Sequence, residues 1–594
     1  MSFETEALKS NNNKVILFQV DAGVEWGDYV TIAAGVYAVS LSNTYAKLVT
    51  FTTFPAITEY TEVGSVVCSG IQMVKKSSLA DVILYNNSFF YDRFNNKMLY
   101  LHCPEGDDPR LFILRLGIIY GFRKGGEQVS YNDLPYPNKI IDLPNLSINK
   151  DPLFWGSFNY DNATIKLDNS DGEFDGFIID NYVQGSKARL FAGYDGWGIE
   201  TFDQIFDGII GNAETNEKDF SLTLTDYRLA LTTPVPDRYF TTAVYPNLDE
   251  SDIGAPIPRA FGPLRHIPIY VVDKAQTTGA GCSTYVCKIC DTYYTSAISA
   301  VSAIYADGEN ITSSTNVKNL NLGTRTFKIV NQGTTADVNP ASASITATIV
   351  GEVTSTGGVI QNGAKAIRKL LKDYYEVDYT TDFYDIANWN ESGSRNIGIY
   401  INETKDLIDH ITDICADGVQ ANFYLSNTGK YKLKINNDTD TSVQTIYRYQ
   451  IEGTPSKVDQ IDQILTSIVV GYDRNWNDDD YKRYVNETQV DDIFIKFGIY
   501  NQKEFNTLCQ NSTAAYDYSV KILEKSGNRY SIVKVRLPNW VALKRELGEN
   551  IDIYLDRPYK KMLGKCKCEI IGINKNFDTY DQELTLRLIS QIEE

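Results

Sequence analysis

The chain has 594 residues, of which 43% are hydrophobic, and its 76 acidic and 56 basic residues give a formal net charge of −20. This composition excludes an intrinsically disordered chain and argues against a surface that grips nucleic acid, which needs clustered Lys and Arg. The sequence has no charged-then-apolar leader and no run of about 18 apolar residues, so we expect a soluble protein that is made in the cytoplasm and not exported by its own signal.

The first predicted domain covers residues 1–135 and consists of short strands. Segments 14–20, 29–39 and 60–67 are rich in β-branched and aromatic residues, and Asn95-Asn96 predicts a hairpin turn between two further strands. We expect the aromatic residues of this β-rich decoration domain to lie in its core or in cross-strand pairs, with a sugar-binding platform as the alternative. Those residues are Trp26, Tyr29, Tyr37, Tyr85 and Tyr91.

The second predicted domain, residues 136–265, contains the most regular part of the sequence. Phe220, Leu222 and Leu224 alternate with polar residues after a polar turn, which predicts an antiparallel hairpin over residues 202–231 with a break at Gly208. Seven prolines from Pro234 to Pro268 predict an extended exit from the domain, because proline fixes φ and removes a hydrogen-bond donor.

Three more domains are predicted beyond this exit. Residues 266–355 alternate Val, Ile, Thr and Tyr and read as a middle β domain. Residues 356–454 read as a small α/β domain, because apolar residues recur at helical spacing in two stretches before a hairpin at Asn427-Thr428-Gly429. Residues 455–594 return to strands, including one at 467–472, with a helix near 514–523. The fold class is therefore mainly β and multidomain.

Six short segments follow one another in a definite order. They are Asp171-Gly172-Glu173-Phe174-Asp175, then Phe206-Asp207-Gly208-Ile209 with Leu222-Thr223-Leu224-Thr225-Asp226-Tyr227-Arg228, Pro258-Arg259-Ala260-Phe261-Gly262, Val301-Ser302-Ala303-Ile304-Tyr305-Ala306-Asp307-Gly308, the helix-strand segment of Ala364–Tyr375, Thr404–Cys415 and the Asn427–Gly429 hairpin, and Val469-Val470-Gly471-Tyr472-Asp473-Arg474-Asn475-Trp476. Together they resemble the baseplate-hub or tail-tip hub proteins of tailed bacteriophages. The match runs over about residues 136–594, and the order of the segments carries it more than any one of them.

The resemblance implies two tail-tube-like β-barrels, at 136–265 and 455–594, which flank the middle domains. It implies a homotrimer in the virion tail tip, assembled in the host cytoplasm, whose six barrels join a six-fold tube to three-fold tip parts. The implied partners are a tail-tube or distal tail protein ring, a tape-measure protein, a tip fibre or adhesin, and genomic DNA that passes through the lumen without specific binding. Residues 1–135 lie outside the resemblance.

Cys282, Cys287 and Cys290 form a C-x4-C-x2-C spacing that matches part of a plant-type iron–sulfur pattern. A cluster needs a fourth thiolate, which could be Cys566 or Cys568 or come from elsewhere. The segment around Cys287 alternates as a strand does, which predicts that Cys287 and Cys290 point to opposite faces. Unligated cysteines are favoured over a cluster or a zinc site.

The chain offers few groups for catalysis. Its three histidines, His102, His266 and His410, each favour a structural or surface role, and no HExxH, GxSxG or Walker-type loop occurs. The acidic loop at 168–175 departs from the EF-hand order, since Gly172 comes one position early, so a solvated turn is favoured over a Ca²⁺ site. We predict no catalytic residue, no cofactor and no metal ligand.

A structural hub is the favoured function, and two other classes stay open. The first is a receptor- or carbohydrate-binding tail adhesin, and the second is an enzyme that degrades cell-wall polymer. Paired carboxylates such as Asp171/Asp175 and Asp478-Asp479-Asp480 would serve a glycosidase only across a cleft. With 76 acidic residues, chance supplies many such pairs.

Overall fold

The fold is that of a computed structural model of the whole chain. It describes strand backbones within residues 14–131 and most of residues 134–592, the longest gaps after residue 134 being 176–182, 195–200, 276–282, 332–339, 384–394, 489–494 and 556–563. The predicted fold class is confirmed, because the described residues form strands far more than helices.

Forty-two strands are described, numbered here in chain order. The strands up to residue 136 are β1 Lys14–Val24, β2 Val30–Ala33, β3 Val36–Ser40, β4 Glu62–Cys68, β5 Ile71–Gln72, β6 Val74–Lys75, β7 Ser88–Asp92, β8 Met98–His102, β9 Leu114–Arg123, β10 Val129–Tyr131 and β11 Leu134–Tyr136. Those up to residue 268 are β12 Ile140–Asp142, β13 Asn145–Asn149, β14 Gly156–Ser157, β15 Asn159–Tyr160, β16 Ala163–Asp168, β17 Lys187–Tyr194, β18 Asp203–Thr215, β19 Asp219–Asp226, β20 Pro234–Val235, β21 Arg259–Phe261 and β22 Pro263–Pro268.

The remaining strands run to the C-terminal region. They are β23 Tyr270–Ala275, β24 Ser283–Lys288, β25 Ile298–Ala306, β26 Glu309–Asn310, β27 Val317–Asn321, β28 Thr326–Asn331, β29 Ile345–Glu352, β30 Ile399–Ile401, β31 Lys405–Asp406, β32 Asn422–Leu425, β33 Tyr431–Lys434, β34 Thr445–Ile446, β35 Glu452–Gln460, β36 Ser467–Asn475, β37 Asp480–Thr488, β38 Gln502–Asn506, β39 Tyr530–Leu537, β40 Asn550–Leu555, β41 Gly564–Asn576 and β42 Asp581–Ile592.

The described residues form three main helices, which are α1 Gly363–Tyr375, α2 Leu407–Asp413 and α3 Ser512–Ser526. A π-helical turn, Ile414–Val419, continues α2, and short 3₁₀ turns lie at Glu250–Asp252 and Arg448–Gln450. The helices predicted from apolar spacing near 366–373, 407–415 and 514–523 are confirmed. Each one turns its apolar side chains inward, as Ile367 and Leu370 show in α1.

The first barrel sheet has the strand order β12-β16-β19-β18-β17-β1-β9-β4-β5. The predicted hairpin is confirmed as β18 and β19, which pair around a turn at Asn216. Gly208 does not interrupt β18, which runs from Asp203 to Thr215. The chain passes so close to β19 at Gly208 that a methyl group would overlap the Thr225 carbonyl oxygen. Alternate residues such as Phe220 and Leu222 are fully buried in the core beneath this sheet.

The second barrel sheet has the order β15-β13-β41-β42-β39-β35, with β40 on β41 and β34 on β40. Six strands from β34 to β35, laid flat, would place those two edges about 24 Å apart. The chain joins them through only Tyr447–Ile451, which includes a 3₁₀ turn and spans roughly 16 Å. The sheet must therefore curl, and it encloses a core that includes Ile446 and Val533.

Between the barrel sheets in sequence lie the middle sheets and an α/β unit. The larger middle sheet has the order β26-β25-β29-β22-β36-β37, with β38 also on β36, and a four-stranded sheet has the order β23-β24-β28-β27. In the α/β unit, α1, α2 and the β32–β33 hairpin share one core. Helix α3 packs against β36 and β37.

Several sheets cross the predicted domain limits, and two strands illustrate this. Strand β1, from the predicted decoration domain, pairs with β17 along seven residues and so extends the first barrel sheet. Strand β36, which the sequence places in the second barrel, instead pairs with β37, β38 and β22 of the middle sheet. Alternating side chains identify a strand but do not identify its partner, which explains both differences.

Candidate functional site: the junction of the two barrel sheets

The chain passes from one barrel sheet to the other within ten residues. Strand β12 pairs with β16 of the first sheet, and β13, two residues later, pairs with β41 of the second sheet from Asn145↔Asn576 to Asn149↔Gly572. Leu146 belongs to the core of the first sheet and Ile148 to the core of the second. Because they are two residues apart, they share one face of β13, and that face joins the two cores.

Residues from the second sheet also enter the core of the first. Phe577, in the turn between β41 and β42, is fully buried in the core of the first sheet, with Leu543 beside it in the same core. Tyr580 packs against that core from the far side of the turn. Each sheet thus completes the hydrophobic core or the ladder of the other, and separating them would expose apolar surface on both.

Polar contacts surround this apolar joint. Lys124, next to β9, forms an ion pair with Asp578 in the same turn as Phe577, and Asp203 of β18 pairs with Lys544 at 2.9 Å. Asp142 of β12 hydrogen-bonds to Asp578, and this bond, followed by burial, raises the pKa of the Asp142 carboxyl. Two carboxyl groups therefore meet at the joint, next to Lys124.

A buried cluster of charges lies within the second sheet. Glu569 of β41 has a side chain that is 1% exposed, and it contacts Lys150 and Arg587, the latter at 2.8 Å; Lys525 of α3 is 4.0 Å away. Asp438, which is partly exposed, pairs with the same arginine. The cluster joins the segment after β13, helix α3 and two strands of the second sheet.

The charges of this cluster shift one another's pKa values. Burial alone would raise the pKa of Glu569, but Lys150, Lys525 and Arg587 together hold it well below its usual range. Burial lowers the pKa of Lys525 to about 7, although Glu569 acts in the other direction. The carboxylate at the centre of the cluster is thus charged at neutral pH, and its neighbours depend on it for compensation.

The α/β unit reaches the same junction through its hairpin. Gly429, with a φ of +73°, lies so close to Asp207 of β18 that a Cβ there would be 2.7 Å from the carboxyl carbon. The Asn427 backbone N–H donates to Glu546 at 3.2 Å, and Lys432 pairs with the same carboxylate. The junction therefore joins three units: two barrel sheets and the α/β hairpin.

The predicted cysteine motif does not form a metal site among the residues described. Cys287 and Cys290 are both fully buried in one hydrophobic core, and burial raises the pKa of each thiol to about 12. The prediction that they point to opposite faces is wrong, because β24 ends at Lys288 and the alternation does not continue. Cys282 lies outside the described residues. In the described part of the chain, no three His, Cys, Asp or Glu side chains are placed to hold a metal ion.

The histidines are held by structural contacts where their side chains are described. His410 of α2 is buried and donates from Nε2 to the Val235 carbonyl oxygen at 2.9 Å. His266 packs its ring on Tyr305, with centroids 4.4 Å apart. The side chain of His102 in β8, like the aromatic side chains of the predicted sugar platform, lies outside the described residues.

The carboxylates of the candidate acidic pairs form hydrogen bonds within turns or ion pairs with nearby basic side chains. Asp171 pairs with Lys139 at 2.6 Å, and Asp175 accepts from Asn169 at 2.8 Å. In the tight turn between β36 and β37, Asp479 pairs with Arg474 and Asp478 accepts from Asn475 at 2.7 Å. These contacts are those of turns and ion pairs.

A polar cleft of about 240 Å³ that the sequence did not reveal lies beside α2. Asp413 and Asp417 line it one helical turn apart, facing Arg474 and Trp476 at the end of β36. Burial, then Asp413, raises the pKa of Asp417 to about 6. Two carboxylates on one helical turn lie on the same side of a cleft, so they do not form the opposed pair that glycoside hydrolysis needs. Their spacing of four residues was the signal that could have suggested the site.

Comparison with known proteins found no matching family model and no matching curated protein. The chain is similar to the solved structure of a tail protein from Neisseria meningitidis, with 10% identity, 78% of this chain and 95% of the other covered, and a TM-score of 0.35. It is also similar to a 43 kDa prophage tail protein from Shewanella oneidensis, with 7% identity, 77% and 97% covered, and a TM-score of 0.36.

A third similar structure is an Escherichia coli component of the type VI secretion system, with 10% identity, 77% of each chain covered and a TM-score of 0.29. A prophage tail protein from Listeria monocytogenes and a chain of the phage P2 baseplate are also among the similar structures. Among the helices of the described residues, none is both long enough and apolar enough to span a membrane.

Proposed function

We propose that this protein is a structural component of a phage tail that acts as the hub of its tip or baseplate. The observation that carries the proposal is the reciprocal exchange between the two barrel sheets, in which β13 completes one sheet and Phe577 completes the core of the other. A chain whose two barrels are fixed relative to each other presents two tube-like units at a constant spacing and angle.

A fixed spacing matters for symmetry. If three chains form a closed ring, they present six barrels. A six-fold tube can dock on this ring only if the two barrels of one chain have the same relative position and orientation as neighbouring barrels of adjacent chains. A loose linker between the barrels would lose that relation. The strand exchange, the buried Phe577 and the ion pair of Lys124 with Asp578 support such a rigid pair.

In this proposal the hub closes the distal end of the tube, anchors tip proteins and opens for genome passage. Its partners are a tail-tube or distal tail protein ring, a tape-measure protein and a tip fibre or adhesin. The middle domains at 266–355 and 356–454 would lie distal to the barrels and narrow the lumen. Interfaces between subunits would each bury on the order of 2,000 Å² or more, as obligate interfaces do.

Mass measurement of the purified protein and imaging of the assembled particle test the proposal. We expect a three-fold ring that lies on the tail axis, with the barrels toward the tube. A persistent monomer, a true hexamer of this chain, or a position away from the axis would contradict it. Turnover of peptidoglycan or polysaccharide by the purified protein would favour the enzyme class instead, and binding to host cells from an off-axis position would favour the adhesin class.

A further inference from the structure

The polar cleft beside α2 has a chemistry that the proposed hub role does not use. Its volume of about 240 Å³ lies below the roughly 300–1,000 Å³ of pockets that take drug-sized ligands, so it suits a single side chain or a group of that size. Helix α2 and its π-helical continuation form one wall. The facing wall comes from the end of β36 and from the segment after β30.

Three hydrogen-bond acceptors follow one another along the helical wall. His410, Asp413 and Asp417 all line the cleft, and their spacings of three and four residues are those of side chains on one face of a helix. Asp413 and Asp417 are separated by about 6 Å or less along the helix axis. One planar donor group in the cleft can therefore reach both carboxylates.

His410 is the most buried member of this row. The residue is 8% exposed, and its Nε2 donates to the Val235 carbonyl oxygen, which leaves Nδ1 as the acceptor of a neutral imidazole. Burial lowers the pKa of His410, so the ring keeps this lone pair at pH 7. Among the residues that the structure describes, none donates a hydrogen bond to Nδ1. An acceptor in this position favours an occupant that carries N–H groups.

Asp417 is a further acceptor whose carboxylate lacks a partner. Within the part of the chain that the structure describes, it forms no hydrogen bond and no ion pair. Burial, then Asp413, raises the pKa of this carboxyl to about 6, although Arg474 acts in the other direction. The group is therefore mostly ionised at pH 7, and a partly buried negative charge lies at the cleft without a cation in contact. An opposite charge that enters the cleft would stabilise it.

The basic groups of the lining are engaged with other carboxylates. Arg474 pairs with Asp479, which does not line the cleft. Lys405 lies 3.8 Å from both Glu403 and Asp413, and all three side chains are at least 46% exposed, so these ion pairs are weak. The lining therefore has an excess of negative charge along the helical wall, and this charge is complementary to a cation.

We propose that the cleft binds the guanidinium group of an arginine from a partner protein, held between Asp413 and Asp417. A guanidinium group is planar and has five N–H donors, so it can donate to both carboxylates at once, and a backbone N–H of the same segment is left for His410 Nδ1. A lysine ammonium group fits less well, because its donors diverge from a single point. The carboxylates repel an acidic segment or a phosphate. This inference goes beyond the hub proposal and does not depend on a three-fold ring.

Calorimetric titration of the full-length protein with a capped Gly-Arg-Gly peptide tests the proposal. The control peptide has citrulline in place of arginine, which keeps the size of the side chain but removes its charge. We expect the arginine peptide to bind at least about tenfold more tightly, because hydrogen bonds between charged groups are the strong ones. D417N should weaken binding of the arginine peptide by about tenfold or more. D409N should leave it unchanged, because Asp409 belongs to the same helix but does not line the cleft.

Each contrary result overturns the assignment. Equal affinity for the two peptides, or no binding of either at millimolar concentration, would show that the cleft does not select a guanidinium group. Equal losses in D409N and D417N would attribute binding to the general negative charge of the chain. Tighter binding of a capped Gly-Asp-Gly peptide would show an acidic partner instead. The two peptides on the wild-type protein decide the question even if D417N fails to fold, and they do so whether or not the chain forms a ring.

Discussion

Replacing Glu569 with glutamine tests whether the buried charge cluster holds the second barrel sheet together. In the native protein one carboxylate compensates Lys150, Arg587 and, at 4.0 Å, Lys525, all with side chains no more than 5% exposed. E569Q keeps the shape of the side chain but leaves Lys150 without its buried carboxylate and Arg587 with only the partly exposed Asp438. Lys525, whose pKa burial lowers to about 7, loses the carboxylate that favours its charged form. Removing one partner of a buried ion pair costs about 3–5 kcal/mol, because the charge left behind has no compensation.

That free energy converts into a large thermal shift. For a domain of 150–250 residues, 1 kcal/mol shifts the melting temperature by about 2–4 °C, so E569Q should lower the melting temperature of the second barrel sheet by roughly 6–20 °C. The pH dependence has a definite sign. Because the pKa of Glu569 is lowered in the folded protein, its contribution is present above the ordinary Glu pKa of about 4.3 and is lost as the pH falls below it. The difference between wild type and E569Q should therefore shrink below about pH 4.3.

The matched control is E583Q on the neighbouring strand β42. Glu583 is 49% exposed and lies 3.9 Å from Lys534, an exposed pair of the kind that contributes about 0–1 kcal/mol. Calorimetry of both variants at neutral pH and at pH 3.5 gives the comparison. If E569Q melts no lower than E583Q, the cluster does not stabilise this sheet and the reasoning fails.

Three further predictions address the joint, the thiols and the assembled ring. F577A should lower the free energy of unfolding by about 3–5 kcal/mol and loosen the first barrel sheet, although Phe577 belongs to a turn of the second sheet. Proteolysis and melting measure this, with Y516A at the exposed Tyr516 as the control, and equal effects of the two substitutions would contradict it. Cys287 and Cys290, whose pKa burial raises to about 12, should stay unmodified by thiol reagents at pH 8 until the protein unfolds; peptide mapping decides this, and rapid labelling of the native protein would be contrary. In the proposed three-fold ring, carboxylates of the two barrels should face the axis, so that repulsion within about 8 Å keeps DNA from binding the wall; a neutral or basic lumen in an image of the particle would defeat this idea.

Local patterns in the sequence were sufficient for elements whose structure depends on near neighbours. The hairpin of β18 and β19 follows from strict alternation on either side of a polar turn, and helices α1 and α3 follow from the spacing of their buried residues. The resemblance to hub proteins also drew on such local segments. Element type and order were therefore predictable over most of the described chain.

The junction was not predictable, because its contacts join segments that are far apart in sequence. Strand β13 alternates Leu146 and Ile148, but nothing in that alternation indicates that its partner is β41. Lysine side chains are usually exposed, and Lys575 is buried only because three units of the structure pack around it. Asp413 and Asp417 were visible as helical neighbours, but the wall opposite them comes from β36.

The pairing of β13 with β41 can form only late in synthesis of the chain. The ribosome makes residues 145–149 more than 400 residues before residues 572–576, their partners in the ladder. At about 5–20 residues per second, β13 waits roughly 20–80 s for its neighbour to emerge. During that interval the edge of β13 that pairs with β41, and Ile148, whose core belongs to the second sheet, have no native cover. This is therefore the period in which a chaperone would protect the nascent chain and in which premature association would cause aggregation. Translation speed and chaperone supply, more than the stability of the finished protein, should then limit the yield in a heterologous host.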